Sequence, residues 1–180
     1  MKLRSCGKPA PPWNQGMTPR ILQINVSSGG VPKRPIPRGE ITHQRVRGDD
    51  WRDKKHHGIP GQAICLYAVE LIEELRGEGY PLFPGALGEN LTTQGLNYRH
   101  VRPGQVFSVG EDAIIRITKV RVPCRTITVY GSGIIKELFD ADVRNGNVQT
   151  PKWGRSGFYA EVLKIGTVYP GDAMILRSQT

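Results

Sequence analysis

The run "KVRVPCRTITVY", residues 119 to 130, places Cys124 behind Pro123 and between Arg121 and Arg125. Proline stiffens the chain and ends ladder pairing, and two flanking guanidiniums favour thiolate over thiol. A thiolate there serves metal ligation, persulfide formation or nucleophilic attack. The alternative is a buried structural cysteine at a strand end.

Other reactive types are sparse. His56 and His57 precede Gly58, and His43 lies upstream. Cys6, Cys65 and Cys124 form neither a disulfide framework nor a CxxC pair, so hydrogen bonding or anion contact suits the histidines better than zinc. "GALGENLT", residues 85 to 92, sets Asn90 to hold a turn or touch a ligand, and Glu89 to pair with an arginine. GxSxG, HExxH, GxxxxGK[ST] and GxGxxG are all absent from the sequence, which removes the simplest support for hydrolase, zinc-protease and nucleotide-site readings.

The elements that must position these groups read mainly as strands. "RILQINV", "QVFSVG", "AIIRITKVRV", "FYAEVLKIG" and "AMILR" are short β-branched or apolar runs bounded by turn residues. Ile64, Ala68, Leu71 and Leu75 recur at three- or four-residue steps, so a helix is expected from Gln62 to Arg76, stopping at Gly77 and carrying Cys65 as a small core residue. Prolines 32, 35 and 37 make residues 27 to 40 an extended cationic loop, not a central strand. "HQRVRGDDWRDKKHHGIPG" follows as a dense polar segment, either ligand-facing or self-paired. "VRPGQVFSV" and "VYPGDAMIL" share a turn that leads into a strand. The expected fold class is mainly β (β-rich α+β): a β-barrel with at least one packed helix.

At 180 residues the chain fits one core, and a single domain over 20–177 after a leader over 1–19 is expected, with Met17 as an alternative start. Its 38% hydrophobic and 23% charged residues describe a globular protein with no bilayer-spanning run and no secretory signal, so a cytoplasmic location is expected. The charge of +9 is uneven: residues 1 to 60 hold 12 basic and 4 acidic side chains, a balance of +8. Such a bias suits an anionic ligand, a phosphate-bearing cofactor or nucleic acid. Aromatics at 7% give little base-stacking platform, which weighs against nucleic acid.

The ordered set "NVSSGGVPKRPI", "RVRGDDWRDKKHHGIPGQAICLY", "FPGALGENLTTQGLNYRHVRPGQVFSVG", "VPCRTI" and "SGFYAEVLKIGTVYPGDAMIL" resembles the MOSC domain family, named for the C-terminal domain of molybdenum cofactor sulfurases. The resemblance runs from about Ile21 to Leu176 and is nearest to short stand-alone bacterial-type members related to the YiiM group. It implies a β-barrel in which the cysteine matched by Cys124 carries sulfur or ligates molybdenum. The implied activity is reduction of N-hydroxylated compounds with molybdenum cofactor (molybdopterin) and an external electron-donor protein, acting on a small-molecule substrate; a persulfide carrier is the rival. In that reading Lys33, Arg34, Arg45, Arg121 and Arg125 neutralise the pterin phosphate and lower the thiol's pKa. Thr126 and Asn90 donate hydrogen bonds, and His57 orients a ligand or moves a proton. One departure stands out: members of the family often carry an acidic or polar residue soon after His-Gly-Gly-Pro, where this chain reads His57, Gly58, Ile59, Pro60, Gly61, Gln62.

Overall fold

The computed structural model describes residues 16–50, 59 and 61–178. Ten strands dominate. Eight form one sheet in the order β10-β6-β7-β8-β4-β5-β1-β2, with β1 Arg20–Val26, β2 Arg34–Ile36, β4 Ile64–Ala68, β5 Leu91–Gln94, β6 Val106–Val109, β7 Ala113–Val120, β8 Phe158–Lys164 and β10 Met174–Ser178. β3 Gly39–Ile41 and β9 Gly166–Val168 pair separately. The mainly β class holds, but the sheet does not close into a barrel. β10 and β2 end the ladder, and an isolated bridge between Arg20 and Ala173 brings the starts of β1 and β10 together. The prolines of the 32–37 loop explain one open end: Pro35 lacks a ladder donor, so β2 is tolerated only as an edge strand.

The helix expected from Gln62 begins seven residues later. Residues 64–68 are strand β4, wedged between antiparallel β8 and parallel β5, and α1 spans only Val69–Gly77. All five β4 residues are buried. A strand covered on both faces shows no polar alternation, and its Ile64 and Ala68 extended the true helical stripe of Leu71 and Leu75 by coincidence. The parallel β4–β5 pair also requires a crossover, and α1 supplies it.

The sheet has two packed faces. Ile64, Leu66, Ala68, Phe158, Ala160 and Val162 point into the larger core with Ile21, Ile24, Ile115 and Ile117. Tyr67 points the other way, into a second core with Ile72 and Leu75 of α1, Leu82, Leu87, Ile127, and Ile134, Leu138 and Val143 of α2 (Ile134–Leu138) and α3 (Ala141–Arg144). Period-2 alternation along β4 and β8 therefore turns Cys65 and its register partner Tyr159 to the second face. Gly157 makes the approach possible: at φ +83°, a side chain there would meet the Leu66 carbonyl and the Tyr67 ring. Among the described residues, no helix is long and apolar enough to cross a membrane.

Candidate functional site

Between the sheet's second face and the loops above it lies a cavity of about 210 Å³. Three loops build it: residues 27–33 after β1, the Gly-Glu-Asn segment before β5, and the Pro-Cys segment after β7. Asp49, only 2% exposed, ties two of them together. Its Oδ1 accepts from the Ser27 backbone N–H at 2.9 Å, and its Oδ2 accepts from Asn90 Nδ2 at 2.8 Å and from the Lys33 ammonium. Removing either charge of such a buried pair leaves the other uncompensated.

Asn90 does the work of a strand neighbour for Cys65. Its backbone N–H donates to the Cys65 carbonyl at 2.8 Å, and its Oδ1 accepts from the Cys65 N–H at 3.1 Å. Among the described residues Glu89 forms no ion pair with an arginine; it folds its own turn, Oε1 accepting from the Gly85 N–H at 2.6 Å and from Thr92 Oγ1 at 2.9 Å. Burial pushes the Glu89 carboxyl up, with those hydrogen bonds and Arg121 in opposition. Gly85 must be glycine, because at φ +91° a side chain would strike the Lys33 carbonyl, while the Lys33 N–H donates to the Gly85 carbonyl at 2.9 Å.

Cys124 is exposed at the cavity mouth, where it caps the 3-10 turn Arg125–Tyr130. Ile127 of that turn is buried in the second core, which fixes the turn's position. Cys124 Sγ lies 3.2 Å from Thr126 Oγ1. Partial burial pushes the thiol up, but the Thr126 hydroxyl, the backbone N–H groups of Thr126 and Ile127, and Arg121 outweigh it, so the pKa falls below the usual thiol value. The buried structural alternative for this cysteine does not apply.

Arg121 forms the cavity's inner cationic wall. It is 7% exposed, donates from Nη2 to the Leu87 carbonyl, and its own carbonyl accepts from Ser156 Oγ at 2.6 Å. Burial works against its charge, but the acidic groups around it, Cys124 and Glu89 among them, raise its pKa and it stays cationic. Tyr159 is pushed up to about 12 by burial, against the pull of Arg121. Burial likewise pushes the Cys65 thiol up.

Of the residues singled out in the sequence, Cys124, Lys33, Asn90, Arg121 and Thr126 line this cavity. Arg34, Arg45 and Arg125 do not. Arg34 alternates outward on β2, Arg125 starts the 3-10 turn on its exposed side, and Arg45 Nη1 reaches the Asp49 carbonyl at 3.1 Å and Asp50 at 3.8 Å. His57 lies outside the described residues. Cys65, taken as a core residue, is buried but also lines the cavity, as do Gln62 and Tyr159. Asp49 and Tyr159 were missed. Asp49 falls in the dense polar segment, and Tyr159 occupies the off-core parity of β8, a signal that becomes usable once β4 is known to be a strand.

The donor set fits a metal that arrives already ligated. Among the described residues no group of three or more His, Cys, Asp and Glu side chains could hold an ion, whereas Cys124 offers one soft sulfur at an open mouth. A single thiolate suits a soft-metal centre whose remaining ligands come from a cofactor.

The chain is 32% identical over 155 residues to the uncharacterized protein YflK of Bacillus subtilis, covering 83% of this chain and 64% of YflK. It is 27% identical over 139 residues to a Gibberella moniliformis protein named "Reductase", covering 73% of this chain and 22% of that one. The chain thus spans less than two thirds of either relative. The crystal structure of YiiM from Geobacillus stearothermophilus superposes with a TM-score of 0.67 at 26% identity, covering 89% of this chain and 75% of that one. The MOSC domain model matches residues 53–175, a span that holds the Gly-Glu-Asn turn, Arg121 and Cys124, and the chain belongs to the MOSC domain family.

Proposed function

We propose that this chain is a molybdenum-cofactor-binding reductase of N-hydroxylated compounds in which Cys124 ligates the metal. The observation that carries the reading is an exposed, acidified thiol at the mouth of a cavity whose inner wall is a buried arginine. Similarity to a protein named "Reductase" supports the reaction class. When bound, the cofactor supplies a two-electron redox centre.

The chain's own residues do the rest. Cys124 presents sulfur as thiolate because Thr126 and Arg121 stabilise the anion. Lys33 and Arg121 hold positive charge beside an anionic cofactor, and Asn90 keeps the end of β4 in place beneath it. For an amidoxime the balance is RC(NH2)=NOH + 2 e⁻ + 2 H⁺ → RC(NH2)=NH + H2O, so an external electron-donor protein and solvent protons complete the reaction.

Elemental mass spectrometry of anaerobically purified wild type and Cys124→Ala tests the reading. The expected result is near-stoichiometric molybdenum in the wild type, lost in the variant together with amidoxime reduction. Absence of metal in both would sink it. The exposure of Cys124 favours one second reading, a persulfide carrier; retained sulfur transfer without metal would establish that one instead.

A further inference from the structure

We infer that the open edge of β10 is a docking groove for an extended, acidic segment of a partner protein, bound as an added β-strand. Apart from the Cys124 cavity there is a second recess, of about 370 Å³, beside the bridge that joins the starts of β1 and β10. The two share no lining residue, so the groove is independent of what the cavity binds. Met174, Ile175 and Leu176 all line the groove. Side chains alternate faces along a strand, so three consecutive residues share one groove only along the strand's edge. The ladder gives the direction of that edge. The Gly110 N–H donates to the Ala173 carbonyl and Ile175 is registered with Ser108, so residues 173 and 175 turn their backbone groups to β6, while 174 and 176 turn theirs outward. The Met174 N–H is used, donating to the Pro19 carbonyl at 2.7 Å. Residues 16–19 form no further ladder with β10, and the Met17 carbonyl lies against Gly95 instead. The Leu176 N–H and C=O have no partner among the described residues, and the Ile175 and Leu176 side chains beside them are exposed. An unpaired edge of this kind accepts a further strand.

Charge selects the partner. Four arginines adjoin the groove: Arg20 next to Pro19, Arg99 next to His100, Arg102 next to Val101 and Arg177 next to Leu176. Among the described residues their hydrogen-bond acceptors are uncharged. Arg20 donates to Gln94 Oε1 at 2.7 and 2.9 Å, Arg99 to the Pro151 carbonyl at 3.4 Å, Arg102 to the Val101 carbonyl at 2.9 Å, and Arg177 to Ser108 Oγ. Two carboxylates adjoin the same region and both are held by backbone: Glu70 accepts from the Gly95 N–H at 2.6 Å and Asp172 from the Tyr169 N–H at 2.8 Å. Residues 1–15 contain Lys2, Arg4 and Lys8 and no acidic side chain, so they bring no counter-charge. A floor of Phe107, Met174 and Leu176 under a cationic rim suits a strand that alternates apolar and acidic residues.

The test uses the full chain and a capped, fluorophore-labelled heptapeptide that alternates valine with glutamate or aspartate, followed by fluorescence anisotropy. A second peptide carries lysine at every acidic position. The acidic peptide is expected to bind saturably, about tenfold tighter than the lysine peptide, and more weakly as salt rises. N-methylation of one alternate set of its peptide nitrogens is expected to abolish binding and of the other set to leave it, the signature of a strand paired along one edge. Arg99→Glu combined with Arg177→Glu should weaken binding about tenfold. Leu176→Pro removes the outward donor at an edge position that tolerates proline, and should abolish binding with the urea midpoint little changed. No saturable binding, equal binding of the two peptides, or equal effects of the two methylation sets would overturn the inference. A dimer in sedimentation equilibrium that Leu176→Pro dissociates would give the edge to a second copy of the chain and overturn it as well.

Discussion

Two cysteines line one cavity, and the chain treats them in opposite ways. Cys65 lies on β4, inside the eight-stranded sheet between β8 and β5, its backbone held by Asn90, its thiol pushed up by burial. Cys124 caps a short turn at the mouth, its thiol pulled down by Thr126 and Arg121. Arg121 acts on both. The difference teaches that a nearby cation does not by itself make a thiol acidic: at Cys65 desolvation outweighs Arg121, while at Cys124 partial exposure and direct hydrogen bonds let the same cation prevail.

The contrast can be sharpened first by native alkylation. Iodoacetamide should modify Cys124 on the order of 10³ times faster than Cys65, because exposure and thiolate fraction both favour Cys124. Peptide mass spectrometry over a time course reads the ratio, which should collapse toward unity in denaturant. The Cys124 rate should hold at pH values below the ordinary thiol range and drop as pH falls through its lowered pKa.

The framework behind both thiols breaks next. Asp49→Asn leaves the Lys33 ammonium buried without its carboxylate and should cost about 3–5 kcal/mol in urea unfolding. Alkali attacks the opposite wall. Tyr159 titrates near 10 unfolded and is pushed up to about 12 folded, so its contribution is intact below pH 10 and lost as pH rises through about 12, worth about 2–3 kcal/mol. Tyr159→Phe should flatten that alkaline loss.

Finer changes separate the two sulfurs. Thr126→Val removes the hydroxyl beside Cys124 and should raise its pKa and slow its alkylation several-fold at neutral pH, with melting temperature nearly unchanged. Cys65→Ala should cost only about 1 kcal/mol and leave the Cys124 alkylation rate as it was. A large change in that rate would mean the two thiols are coupled after all.

Much of this arrangement is legible along the chain, for identifiable reasons. β1, β6, β7, β8 and β10 announce themselves because each is a short apolar run between turn residues, and the two matching Pro-Gly turns lead into strands that pair with one another, β6 with β10. β4 does not, since full burial erases its alternation. In the site, Cys124, Thr126 and Arg121 sit within six residues and Asn90 in a glycine-bounded turn, so local chemistry finds them. Arg34 misleads because strand parity separates neighbours, Lys33 turning in while Arg34 turns out, and Arg125 because it falls on the exposed side of the 3-10 turn. Cys65, Gln62 and Tyr159 reach the cavity, and Asp49 the loops that frame it, only through strand register and loop packing, which no local pattern encodes. Closure of the barrel was overestimated for a related reason: strand count was visible, but pairing at the two edges was not.

The parallel pairing of β4 with β5 has a kinetic consequence. That pair cannot form until α1 has crossed over, and Tyr159 and Gly157 join β4 only when a distant part of the chain has been made. Contacts of such long sequence separation close late in folding. On a nascent or refolding chain Cys124 is an ordinary thiol, and it acquires acidity when Ile127 docks and Arg121 is enclosed. Its reactivity therefore reports completion of the fold.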